Sequence, residues 1–134
     1  MKAIGTKKTA AKPKRVTLES LVKKGLEIKN RELQKAEIFV ESLGGIVVVE
    51  ELPYQVINEA LELDETDEMM IYESVIEPNL KDKSLQDSLG CESPDDIVRI
   101  LLKPGEVAAL SKEIIKLSGY GSNSVRKVKD DLKN

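Results

Sequence analysis

No histidine and no tryptophan occur in this chain of 134 residues, and cysteine occurs once, as Cys91. Without histidine, neither a Ser-His-Asp nor a Cys-His nucleophilic arrangement can be assembled from one copy of the chain. One cysteine supplies neither a structural zinc cluster nor a disulfide, and next to Gly90 it reads as a small boundary residue with no role of its own. Aromatic residues are equally sparse. Phe39, Tyr54, Tyr72 and Tyr120 make up 3% of the chain, which is poor material for stacking the bases of single-stranded nucleic acid. No apolar run is long enough to cross a bilayer, and no apolar stretch follows the first positive charges as it would in a secretory signal. The cytoplasm is therefore the expected compartment, with no membrane partner.

What is present in quantity is charge, unevenly placed. Residues 1–15 carry six basic side chains and no acid, whereas the rest of the chain carries 15 basic and 24 acidic ones. The first segment has no hydrophobic periodicity with which to offset the entropy of ordering, so it reads as a disordered basic arm. Between Glu62 and Glu68 five of seven residues are acidic, too much like charge to bury. A calcium loop of the EF-hand type needs a central glycine, and none lies between Gly45 and Gly90. The Gly119-Tyr120-Gly121-Ser122 stretch lacks the lysine and the preceding strand of a phosphate loop, and no spacing selects two carboxylates as an acid–base pair. The expectation is no enzyme, with no catalytic, cofactor-binding or metal-ligating residues. A small DNA-binding regulator is the rival from another class, using the arm together with Arg126, Lys127, Lys129 and Lys133. The acidic excess beyond residue 15 would repel phosphates over most of the surface and disfavours nucleic acid.

Order should begin near Val16. Thr17 is placed to cap a helix with Leu18, Leu21, Val22 and Ile28 on one face, while Val16 and Leu21 stand at the spacing of a hydrophobic staple. From Ala36 the period drops to two through Ile38 and Val40, and the run Ile46 to Val49 follows Leu43-Gly44-Gly45, the pattern of a β-hairpin. Pro53 closes that strand and suits the start of a helix carrying Val56, Ile57, Ala60 and Leu61. A further helix is read from about Asp67 to Ile76, ended by Pro78. Ser93-Pro94-Asp95-Asp96 marks another start, with Ser93 accepting from the free amides. Pro104 opens the stripe Val107, Leu110, Ile114 and Leu117, for which Gly119 is the expected C′ residue. Val125, Val128 and Leu132 would line one more short helix. The expected fold is α+β, a mainly helical single domain over residues 16–134 with one N-terminal β-hairpin.

Several segments carry more distinctive residue types than their geometry requires: the run from Ile71 through Glu77-Pro78-Asn79-Leu80 to Lys83, then Pro94-Asp95-Asp96-Ile97-Val98, Leu102-Lys103-Pro104-Gly105-Glu106-Val107, Leu117-Ser118-Gly119-Tyr120, and the closing Val128-Lys129-Asp130-Asp131-Leu132-Lys133-Asn134. In this order they resemble the XkdN-like phage tail assembly chaperones, from about Gln34 to the end. The resemblance implies a small protein of contractile-tailed phages and prophages, working in the bacterial cytoplasm. It would hold the long tape measure protein until tail tube subunits polymerise around it and be absent from the mature tail. It also implies that a longer frameshift product could engage the tail tube protein. Self-association into a homo-oligomer stays open.

A tape measure is a long helical chain whose apolar faces await the tube, so its holder needs adaptable apolar surface and a charged exterior. Met69, Tyr72 and Ile76 stand at i, i+3 and i+7 of the expected helix. With Met70 and the following Glu77, Pro78, Asn79 and Leu80 they form the candidate partner-binding set. The competing reading is that both methionines fill the core.

Overall fold

The computed structural model describes residues 13–121 and 123–128. The chain divides into two units, residues 1–32 with 125–134 and residues 33–124.

In the first unit Thr17 caps helix α1 (Leu18–Asn30) as expected. Its hydroxyl accepts from the Ser20 amide at 3.1 Å, and the Ser20 hydroxyl accepts from the Thr17 amide at 3.0 Å, so two amides that the helix leaves free are satisfied reciprocally. No residue of α1 is buried. Residues 13–16 before it are exposed and irregular, residues 1–12 of the basic arm lie outside the described residues, and of the helix expected over Val125 to Leu132 residues 129–132 lie outside them too, while residues 125–127 are not helical.

In the second unit strand β1 (Lys35–Val40) runs through a 3-10 turn (Glu41–Leu43) into strand β2 (Gly45–Glu50), with Val40 opposite Gly45 and Lys35 opposite Glu50. Gly44 takes the left-handed φ of 65° that the turn needs and that a side chain would resist. Alternation sends Val40, Val47 and Val49 into the core and leaves Phe39 and Ile46, which are cross-strand neighbours, outside. At the open end of the hairpin Gln34 and Glu51 exchange bonds, the Gln34 amide donating to the Glu51 carboxylate at 2.7 Å and the Glu51 amide to the Gln34 carbonyl at 2.8 Å.

Helices α2 (Tyr54–Leu61), α3 (Thr66–Ser74), α4 (Lys83–Ser88), α5 (Asp96–Leu101) and α6 (Pro104–Leu117) follow. Helix α3 packs against α2, α5 and α6, which explains why it buries Met70, Ile71 and Ser74 together. Ile71, Ile97 and Ile114 are the largest fully buried side chains. Gly119 ends α6 as the C′ residue with φ 100°. Its amide donates to the Lys116 carbonyl at 3.0 Å and the Tyr120 amide to the Ile115 carbonyl at 3.2 Å, which together make a Schellman motif.

Three expectations are corrected. The sheet is not only an N-terminal hairpin: among the described residues it has three antiparallel strands in the order β1-β2-β3, with β3 formed by Val75–Glu77. The helix expected to reach Ile76 stops at Ser74. Val75 and Ile76 are β-branched and Glu77 precedes a proline, so all three resist the helical region, while the free edge of β2 offers backbone partners. Val75 stands opposite Val49 and Glu77 opposite Val48, leaving Ile76 as the extra residue of a bulge. Ser93 is not the acceptor that opens α5. The Asp96 carboxylate instead accepts the amides of Glu92 at 3.1 Å and Ser93 at 3.0 Å, and the helix begins later than expected.

Candidate functional site

Short elements from opposite ends of the second unit meet around an apolar cavity of about 360 Å³. Its floor is buried core: Val40 and Val47 of the sheet, Ile71 of α3, Val98 of α5 and Leu110 of α6. Its mouth is formed by Leu43 of the 3-10 turn, Ile46 at the start of β2 and Pro78 after β3, all exposed, with Leu85 and Leu101 half-buried beside them. Every residue that lines it is apolar. Pockets for small polar molecules carry a few fixed hydrogen-bonding groups that set orientation. A groove lined by no polar side chain suits apolar side chains presented by another polypeptide.

Polar contacts outside the groove hold its walls. Glu106 accepts the Lys103 amide at 3.0 Å at the start of α6, and it also accepts the Ser42 amide at 3.1 Å and hydroxyl at 2.6 Å across 64 positions of sequence. The turn that carries Leu43 is thereby tied to α6. The Ser42 hydroxyl first, and then the Lys103 amide, hold the Glu106 carboxyl below the ordinary glutamate range. On the other wall, Gln86 of α4 donates to the Leu80 carbonyl at 2.8 Å, and Lys81 pairs with Glu73 at 2.8 Å while its ammonium sits 5.3 Å from the centre of the Tyr72 ring.

The expected partner-binding segment is split by this geometry. Pro78 and Leu80 line the groove, one at the mouth and one buried behind it. Glu77 and Asn79 are exposed. Met70 is buried in the core and Met69 and Tyr72 are packed against it, while Ile76 lies on β3 rather than on a helical stripe with Met69 and Tyr72. The groove residues that sequence reasoning passed over, Leu43, Ile46, Leu85 and Leu101, come from four separate elements. Only Ile46 carried a signal, as a large apolar residue on the outward phase of a strand.

Side chains of the acidic stretch before and within α3 reach α5 and α6. Asp67 accepts from the buried Ser111 hydroxyl at 2.9 Å, and Glu65 and Glu68 reach Arg99 at 3.2 and 3.6 Å. Among the described residues no group of three or more acidic or cysteine side chains is arranged to hold a metal ion, and no helix is long and apolar enough to cross a membrane.

Compared with known families, residues 3–133 match the phage XkdN-like tail assembly chaperone protein. The chain belongs to that family. The match takes in the basic arm and α1, neither of which carried the resemblance seen in the sequence motifs, so the XkdN-like chaperone of this chain includes its N-terminal unit. No curated protein matches. Among solved structures, the crystal structure of the protein YqbN is similar with a TM-score of 0.55 and 22% identity, covering 80% of this chain and 99% of that one. At that identity the likeness concerns the fold.

Proposed function

We propose that this XkdN-like chaperone holds the tape measure protein in the host cytoplasm until tail tube subunits assemble around it, and that it is absent from the mature tail. Membership of the tail assembly chaperone family over residues 3–133 carries the reading. The groove supports it physically, since an all-apolar cleft opening through Leu43, Ile46 and Pro78 is suited to the apolar stripe of a client helix. Leu80 backs this surface, and Glu77 and Asn79 extend it as a polar rim. Met69, Met70, Tyr72 and Ile76 contribute through the packing that shapes it. No reaction is assigned to the chain. A longer frameshift product would add contact with the tail tube protein.

Co-expression with the tape measure protein of the same genome tests this. The soluble fraction of the client should rise and the two should co-purify. Ile46→Asp should reduce capture by about tenfold or more while leaving the melting temperature nearly unchanged, because Ile46 is exposed. If neither solubility nor co-purification responds to the chaperone, the reading fails. Salt-sensitive binding to duplex DNA that survives deletion of residues 1–15 would replace it with the regulator reading.

A further inference from the structure

Helix α1 presents its entire apolar face to solvent. Leu18, Leu21, Val22, Leu26 and Ile28 are between 53% and 84% exposed. On a helical wheel they fall on one side, interrupted by Gly25 and Lys29, with Lys24 beyond one border and Glu19, Asn30 and then Lys23 beyond the other. A helix of 13 residues is marginal in water unless an apolar face finds a partner. Yet the element is well specified locally, with a reciprocal cap and the Lys24–Glu27 pair at 3.2 Å. A capped amphipathic helix that buries nothing has the form of a ligand waiting for a groove.

Charge identifies the groove. Residues 1–32 carry ten basic and three acidic side chains, whereas residues 33–124 carry seven basic and nineteen acidic ones. Two copies of residues 1–32 brought together would set one net positive segment against another, an unfavourable arrangement. The cleft between Leu43, Ile46 and Pro78 has the opposite character: its lining is apolar, and Glu41, in the same turn as Leu43, and Glu77, just before Pro78, are both exposed. Its volume of about 360 Å³ fits side chains from one stripe of a helix rather than a whole helix. We propose that α1 of one copy seats its apolar stripe in this groove of a second copy, and that reciprocal exchange closes a two-fold dimer. The inference deepens the chaperone reading, because the groove offered to the client is then occupied in the idle protein and released as the client competes.

The test needs no client, so it can fail independently of the chaperone reading. Full-length protein is followed by sedimentation velocity over a dilution series. The wild type should dimerise, and added salt should weaken the dimer through screening. Leu21→Asp on α1 and Ile46→Asp at the groove mouth should each raise the dissociation constant by about a hundredfold or more. Mixing these two variants should restore a heterodimer, because one copy keeps an intact helix and the other an intact groove. That recovery also shows that both variants are folded. A wild type that stays monomeric at every concentration overturns the proposal. So do a dimer that survives Ile46→Asp but not Leu21→Asp, which indicates helix against helix, and a mixture that stays monomeric. Binding of the wild type to phosphatidylglycerol vesicles that is lost in Leu21→Asp, with no dimer in solution, would assign α1 to an anionic lipid surface instead.

Discussion

Glu106 shows how one carboxylate can organise a surface. It completes the start of α6 through the Lys103 amide and holds the β1–β2 turn through two bonds from Ser42. These bonds lower its pKa, so the folded state favours the ionised form. Their contribution is present above the glutamate value of the unfolded chain and is lost as pH falls through the lower value of the folded one. Thermal melts of the wild type and Glu106→Gln across an acid series should differ most at neutral pH, with the wild type the more stable. The gap should narrow below the ordinary glutamate range. A gap that stays constant down to strongly acid pH would show that the charge on Glu106 contributes nothing. Cys91 is perturbed in the opposite direction, chiefly by burial and then by Asp96 and Asp87, which raise its thiol above the ordinary range.

At the scale of elements, the junction between α3 and β3 is the point where local preference and tertiary pairing meet. Ser74 is fully buried, and its hydroxyl donates to the Glu50 carbonyl at 2.7 Å, at the end of β2. This bond holds the last residue of the helix against the strand that β3 then joins. Ser74→Ala leaves a half-buried carbonyl short of a partner, which should cost about 1 kcal/mol or somewhat more. Urea unfolding should show a lower midpoint at an unchanged slope, the sign of lost stability rather than of a changed denatured state. A cost below about 0.5 kcal/mol would mean that the strand pairing alone holds the junction.

For the whole molecule, the contrast between a net-basic N-terminal segment whose helix buries no residue and a net-acidic, packed body has a dynamic consequence. Local stability follows buried apolar contact, and α1 buries none while β2 and α6 reach the core at Val49 and Ile114. Amide hydrogen exchange in dilute solution should therefore exhaust α1 well before β2 and α6, and α1 should gain protection as concentration rises. Equal protection of α1 and α6 at high dilution would contradict the exposure of the helix.

The sequence by itself determined whatever depends on neighbours within a few positions: the Thr17 cap, the glycine turn at Gly44, the Schellman end at Gly119 and the apolar phase of the hairpin. It also carried the family, because ordered motifs survive in a linear string. Tertiary structure decided what depends on partners brought from far away. Residues 75–77 became a strand because the edge of β2 was free to pair with them, a fact absent from their own helix-like spacing of apolar residues. The groove was hidden for the same reason, since Leu43, Ile46, Pro78, Leu85 and Leu101 are scattered over nearly 60 positions and no local period joins them. Each is an ordinary apolar residue in its own segment, and only packing that buries Val47, Ile71 and Val98 beneath them turns five scattered residues into one site.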